Sequence, residues 1–540
     1  THPRFIQAIF LFAFVVNLII LFVGAVVVGI SWDERLQLEM TGNWKKYGTF
    51  QLTQMEGFAY GPVAAAYSHA IAVLLGAEVL GVASFSVEAY AARHVSVAIL
   101  ATAGASAVGA IVWLISRSKN ASMLAIVLVM SIPLWVGHGM FNPKDIAVAT
   151  GYTLITAGAT SIIFATLERT RSLYVYGALS LFLGIGLSGG TRTILVFVAL
   201  ATILLGGVVL SVVSRDLSTL RSYVFTSSIS LVSGYVVLAM IYPALFLSPT
   251  NLLSALSTSA EFPWIGETLT AGIPIDASSP PWYYLPTWFS AQMPVFIQVM
   301  FWGGLVTVGF LVVRQPSTNS VLANQRILIG TALLLSQAFA LPGAAIVLRS
   351  TLYDGVRHFL FVVPVVAAVG AIGMWLFVTS VRKAYAAHLA IGAVAIGVGA
   401  SLLAQIQLFP YSYTYFNPVA SFAGVNDNWP TDYWRTSGRE LIPKIPLGPV
   451  IACSEWSESQ EPEPCDRQAQ YAPYWESLDT LAAKSIKDDG SSYLLVHANR
   501  GNARPPENCE IIDAVTRSPW GLSQTMSWVA ECPKPLDSTE

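Results

Sequence analysis

Long apolar runs recur along the first 410 residues, and only short polar joints separate them. Candidates lie near 5–30, 62–83, 95–115, 121–139, 146–166, 173–188, 193–213, 223–247, 294–313, 326–348, 357–379 and 386–409. About 20 apolar residues are enough for a helix to cross the ~30 Å hydrocarbon layer. In lipid every backbone N–H and C=O must be satisfied within the protein, so such runs are helices. Only 11% of the 540 residues are charged, against about 25% in an ordinary soluble domain. A soluble globular enzyme and a disordered chain are thereby excluded. The chain has 29 Lys+Arg against 31 Asp+Glu, a net charge of −2. That lacks the basic excess a nucleic-acid binder needs.

The apolar pattern stops near Gln407–Tyr411, which divides the chain into a membrane domain, 1–410, and a polar tail, 411–540. All 4 cysteines, Cys453, Cys465, Cys509 and Cys532, fall in the tail. Two disulfides in an oxidising compartment are the simplest account, with local pairing 453–465 and 509–532 expected; free thiols or a zinc site are the alternatives. Basic clusters at Arg117/Lys119, Arg169/Arg171, Arg215/Arg221, Arg314/Arg326 and Arg382/Lys383 are assigned to the cytoplasmic face by the positive-inside rule. The loops at 31–61, 138–145, 188–192, 248–293 and 349–358 then face outward with the tail. Two apolar runs lie between the outward loop 31–61 and Arg117, where alternation needs an odd number of crossings. With the N-terminus inside, one of these runs, or the joint at 84–94, is therefore re-entrant or bent, the preferred account; the alternative is that the positive-inside rule fails once. The expectation is an all-α polytopic membrane protein of about 11 crossings, with a small extracytoplasmic α/β domain. The first run is too long for a cleavable leader and lacks a small-residue cleavage site.

Ionisable residues at an apolar boundary are expensive, so their positions are informative. Asp33-Glu34 directly follows the first run. Adjacent carboxylates repel, which suits a general base and equally a helix cap or an ion pair with Arg35. Next comes His138-Gly139-Met140-Phe141-Asn142-Pro143-Lys144-Asp145. Asp145 is either a site residue or the cap of the following helix. Ser188-Gly189-Gly190-Thr191-Arg192 offers backbone N–H groups and a fork-shaped cation for an anion. Tyr353-Asp354-Gly355-Val356-Arg357-His358 adds a second arginine, or an Asp–Arg pair that joins helices. Trp282, Tyr283 and Tyr284 in the long outer loop form either an interfacial belt or a stacking wall for a sugar. Paired carboxylates, arginines and an aromatic loop on one face suit transfer between a lipid-linked anion and an acceptor. A transporter would carry its charges mid-membrane on broken helices, and the middles of these runs are nearly charge-free.

The ordered set of motifs resembles the GT-C superfamily of membrane glycosyltransferases, in the branch that holds protein O-mannosyltransferases and the lipid A aminoarabinose transferase. The matching stretches are Asp33-Glu34, Tyr60-Gly61-Pro62, Phe141 to Asp145, Pro281 to Pro286, Tyr353 to His358, Tyr415-Phe416-Asn417-Pro418, and Asp432-Tyr433-Trp434 followed by Ser437 and Arg439. In the family the aromatic loop opens with His; Pro280 stands in that place here. The resemblance implies transfer of a sugar from a polyprenyl-phosphate carrier to a hydroxyl, with inversion. Asp33 would be the base, Glu34 its support and Asp145 the second acid. Lys144, Arg192 and Arg357 would hold the carrier phosphate. His138, Asn142, Trp282, Tyr283, Tyr284, Tyr353 and His358 would contact sugar or acceptor. Some members use a divalent metal, for which Asp33, Asp145 and His138 are candidate ligands. The acceptor is either an envelope glycan or lipid, which is favoured, or a secreted protein hydroxyl. A lipid or sugar transporter and a non-catalytic envelope scaffold are the competing classes. The implied setting is a bacterial plasma membrane with the site and tail outside.

Overall fold

The computed structural model describes residues 3–49, 58–214, 216–314, 321–381, 383–444, 451–453, 492–498 and 508–533. The helices in chain order are α1 (Pro3–Val27), α2 (Trp32–Tyr47), α3 (Val63–Leu74), α4 (Val87–Ser116), α5 (Lys119–Met130), α6 (Pro133–Phe141), α7 (Pro143–Glu168), α8 (Arg171–Gly184), α9 (Ile194–Ser214) and α10 (Leu217–Ile241). They continue as α11 (Pro243–Phe246), α12 (Pro249–Ala260), α13 (Tyr284–Gln292), α14 (Val295–Arg314), α15 (Val321–Leu348), α16 (Val362–Ser380) and α17 (Ala384–Leu408). Among the described residues 9 helices are long and apolar enough to cross a membrane, and up to 11 do so if two bent pairs, α5–α6 and α13–α14, each count as one span. The chain is thus a multi-pass membrane protein.

The parity problem falls on the run at 62–83. Its helix, α3, has 12 residues, about 18 Å at 1.5 Å per residue, and is too short to span. That leaves α4 as the single crossing between the loop at 31–61 and Arg117. Pro133 opens α6 at its first turn and accounts for the 68° bend from α5: its ring blocks continuation of the preceding helix.

Buried along nearly its whole length, α7 is the axis of the bundle. Its 26 residues extend about 39 Å. At its far end Glu168 takes Arg117 Nη2 at 2.6 Å and Arg326 Nε at 2.8 Å. With Arg169 and Arg171 directly after Glu168, three of the basic clusters therefore gather at one end of the bundle, and Lys144 and Asp145 open α7 at the other.

The segment that follows α17 enters the helical core. Tyr411, Tyr413, Tyr415, Phe416, Tyr433 and Trp434 are all buried. Two glycines permit this approach. A Cβ on Gly137 would run into the Ser412–Tyr413 backbone, and one on Gly29 into the Thr436 carbonyl. A two-stranded hairpin, β1 (Glu267–Thr270) with β2 (Ile273–Asp276), lies in the long loop, and beyond the segment after α17 stands a four-stranded sheet of β3 (Ile451–Cys453), β4 (Ser492–Ala498), β5 (Glu510–Arg517) and β6 (Gln524–Pro533), ordered β3-β4-β6-β5. β3 and β4 run parallel and the other pairs antiparallel. Cys509 is disulfide-bonded. Glu510 pairs with Glu531 in register, so the expected partner Cys532 lies one step along the ladder. Cys465 lies outside the described residues.

Candidate functional site

Four segments converge at the Lys144 end of α7. The first is the opening turn of α2. Ser31 precedes it, and Glu34 reaches back to accept the Ser31 N–H at 2.6 Å, the reciprocal half of a capping box. The other Glu34 oxygen lies 2.7 Å from His94 Nε2 on α4. Glu34 is buried and turned away from its neighbour Asp33, which faces a cavity and accepts from Lys144 Nζ at 2.9 Å. Adjacent in sequence, the two carboxylates point apart, as the helical turn between them dictates.

The elbow between α6 and α7 supplies the second segment. Asn142 ends α6 and caps α7, accepting the Asp145 N–H at 3.1 Å. The cap is therefore Asn142 and not Asp145. The Asp145 side chain is free to take the Asn142 amide at 2.8 Å, Arg192 at 3.3 Å and Arg357 at 3.7 Å. His138 stands behind this elbow, 3.0 Å from the Asn142 amide and 3.2 Å from the Tyr433 hydroxyl.

In the third segment α8 ends in a π-helical turn, Ile185–Gly189, a distortion common at functional sites. The expectation of glycine N–H groups offered to an anion does not hold at Gly190 and Thr191. The Gly190 amide donates to the Gly186 carbonyl at 3.1 Å, and the Thr191 and Arg192 amides to Ser188. The Gly190 carbonyl instead accepts from Val63 at 3.1 Å, and a Cβ on Gly61 would overlap it. The glycines let two backbones meet, which brings Tyr60 beside Arg192.

The fourth segment, Tyr353 to His358, is a tight turn with Asp354 and Gly355 at positive φ. Arg357 is buried, 3.3 Å from Asp354, with its guanidinium carbon 4.8 Å from the Tyr353 ring and 4.6 Å from that of Trp434. Burial opposes its charge, but Tyr353, Asp354 and Asp145 more than offset this and raise its pKa. His358 is held well below the usual histidine value by burial and by Arg357, Arg192 and Lys144. It is therefore a neutral imidazole.

Two cavities meet here. One of about 150 Å³ is lined by Asp33, Lys144, Tyr60, Trp264, Tyr353 and Arg357. The other, about 140 Å³, is apolar along Ile194, Leu341, Ala345 and Leu348 and carries Arg192 and His358. Tyr60, Phe262 and Tyr353 wall both. Nε and Nη1 of Arg357 and Nε of Arg192 are buried with no hydrogen-bond partner.

The structure thus brings together Asp33, Lys144, Asp145, Arg192, Arg357, Tyr353 and His358. It sets Glu34, His138 and Asn142 in the supporting layer. It separates Trp282 and Tyr283 from both cavities: the two residues are 71% and 39% exposed. Tyr284 is buried, its hydroxyl accepting from Gly355 N at 3.1 Å. The aromatic residues of the long loop that reach the cavities are Phe262 and Trp264, which nothing in the Pro-Trp-Tyr-Tyr motif indicated. Tyr60 and Trp434 stood in matching motifs with no role. The metal set Asp33, Asp145 and His138 does not assemble: each carboxylate is engaged by cations and His138 by Asn142 and Tyr433. No group of three or more His, Cys, Asp or Glu among the described residues is placed to hold a metal.

No family model and no curated protein matches the chain. Solved structures do. The apo state of ArnT from Cupriavidus metallidurans is 12% identical, covers 96% of this chain and 97% of its own, and superposes with a TM-score of 0.50. The same protein bound to undecaprenyl phosphate is 11% identical over 96% and 97%, with a TM-score of 0.49. The archaeal oligosaccharyltransferase AglB from Archaeoglobus fulgidus, in complex with an inhibitory peptide and a dolichol-phosphate, is 12% identical over 92% of this chain and 69% of its own, with a TM-score of 0.49. At such identity likeness speaks for architecture alone, and the chain shares the fold of apo ArnT, the fold implied by the GT-C resemblance.

Proposed function

We propose that this protein is an integral-membrane glycosyltransferase that moves a sugar from a polyprenyl-phosphate carrier to an acceptor hydroxyl on the outer face. One observation carries the reading. Asp33 opens onto a cavity whose wall includes a buried Arg357 whose Nε and Nη1 have no hydrogen-bond partner, beside an apolar cavity that also carries Arg192. A carboxylate that can take a proton, donors for a phosphate and an apolar slot for a lipid tail lie together.

In the reaction, Asp33 takes the acceptor proton as the oxygen attacks the anomeric carbon. The bond from that carbon to the phosphate oxygen breaks, and its electron pair leaves with the phosphate. Arg357, Arg192 and Lys144 meet the added charge. Attack opposite the departing phosphate inverts the configuration. Asp145 acts through the two arginines it orients and is a positioning residue. His358, held neutral, donates a hydrogen bond to sugar or phosphate without adding charge. The favoured acceptor is an envelope glycan or lipid. The setting we assign is a bacterial plasma membrane, with the site and tail extracytoplasmic. The ionisable groups of the described spanning helices lie toward their ends, the deepest being Arg93 and His94 about two turns into α4, against the mid-membrane charges a transporter requires.

The test is transfer from a panel of synthetic polyprenyl-phosphate sugars by purified protein in detergent, with a membrane extract as acceptor. One donor should be consumed, and Asp33→Asn with unchanged thermal unfolding should lose about 10²–10⁴ in rate. A panel left untouched, or a variant as fast as wild type, overturns the reading.

A further inference from the structure

Arg357 is gripped by rings from separate parts of the chain. Trp264 of the long loop stacks on Tyr353 at 4.3 Å and 9°. Arg357 lies over Tyr353 and against Trp434. Ring faces attract a cation but cannot accept its in-plane N–H groups. The grip therefore fixes the guanidinium and leaves Nε and Nη1 with no hydrogen-bond partner, Nη1 lying 3.7 Å from Asp145. Trp434 is 2% exposed and heavily braced. Asp432, two residues earlier, accepts from the Tyr413 and Ser437 hydroxyls and from the Thr436 and Ser437 amides, the amides at 2.9 Å each. Tyr433 is tied to His138 at 3.2 Å. Phe141 meets the indole edge-on at 5.8 Å. Thr431 donates to the Thr525 carbonyl at 2.6 Å, and the Ser437 hydroxyl meets the Ser527 hydroxyl at 2.6 Å, which fastens the turn to β6. The Trp434 carbonyl accepts the Trp32 amide at 3.4 Å, one residue before Asp33. A single residue of the C-terminal segment thus touches both the phosphate-side arginine and the start of the base-bearing helix.

We propose that Trp434 is a positioning residue that presents the edge of Arg357 to the carrier phosphate, making the C-terminal segment part of the donor site; this rests on the glycosyltransferase reading above. So braced an indole would be wasted on filling space alone, since any apolar side chain could do that. The ring face is what the cation needs.

The experiment measures binding of a synthetic polyprenyl phosphate, and of the matching polyprenol, to full-length wild type, Trp434→Phe and Trp434→Leu in detergent. Thermal unfolding is recorded for each. Wild type should prefer the phosphate lipid. Trp434→Leu should weaken phosphate binding about tenfold or more and leave polyprenol binding unchanged. Trp434→Phe, which keeps a ring face, should stay within about threefold of wild type. If Trp434→Leu fails to fold, Tyr353→Leu against Tyr353→Phe repeats the comparison on the other ring. A folded Leu variant that binds the phosphate as wild type does, or a Phe variant as weak as Leu, overturns the role of Trp434 and leaves the donor reading standing. A wild type that does not distinguish phosphate from alcohol removes the donor reading itself, and this inference with it.

Discussion

Asp33 and Glu34 are neighbours in sequence, and the geometry gives them different work, so their amides should behave differently. The Glu34 prediction follows from its two contacts. His94 Nδ1 lies 3.1 Å from the Ala25 carbonyl, which can only accept, so Nδ1 carries a proton. A glutamine at 34 can then accept the Ser31 N–H through its oxygen and donate its amide to the lone pair of a neutral His94 Nε2. Glu34→Gln therefore keeps both contacts, and stability and transfer rate should stay near wild type, within about 1 kcal/mol. Glu34→Ala removes half of the capping box, about 1 kcal/mol, and strands a buried imidazole, roughly 1–3 kcal/mol more. Asp33→Asn keeps an oxygen for Lys144 and should cost little in unfolding. In the proposed mechanism it removes the group that takes the acceptor proton, so the rate should fall by about 10²–10⁴. The assay pairs thermal unfolding with single-donor transfer kinetics for the three variants. A Glu34→Gln protein that unfolds like wild type yet loses rate on the Asp33→Asn scale would refute the division of labour.

Other consequences are open to measurement. The buried Asp432 carboxyl is pushed up to about 6 by desolvation, from an ordinary 3.8. Because the folded value is raised, its contribution to stability is complete below about pH 4 and is lost as pH rises through 6, on the order of 3 kcal/mol. Wild type should lose unfolding temperature relative to Asp432→Asn over that interval, and parallel curves would remove the effect. Gly29→Ala should destabilise the packing of the post-α17 segment on α1, since the new methyl meets the Thr436 carbonyl; a wild-type melting curve would contradict the close approach. Glu168→Gln weakens the pairs with Arg117 and Arg326 at the far end of α7. It should cost roughly 1 kcal/mol and leave donor transfer unchanged.

Much of the architecture was legible in the linear sequence because the bilayer imposes a length on every crossing. Hydropathy alone located the spans, and charge placement exposed the parity conflict that the short α3 resolves. The clusters at the ends of the apolar runs also announced Asp33, Lys144, Asp145, Arg192 and Arg357, since charge beside lipid has few cheap explanations. Hydropathy could not decide which side of a helical turn each carboxylate takes, so Asp33 and Glu34 looked equivalent. Composition counted residues 411–440 with a polar tail, whereas Gly29 and Gly137 let that segment thread into the helices. The aromatic motif at Trp282 and Tyr283 drew attention to a surface, while Phe262 and Trp264 reached the cavities from a part of the loop with no distinguishing pattern. The sequence by itself determined that this chain is a bundle of membrane helices with its candidate site at one end, because solvation of an apolar run depends only on its own length and polarity. The tertiary structure decided which residues meet, because the grip on Arg357 joins segments from distant parts of the chain that only packing brings within contact.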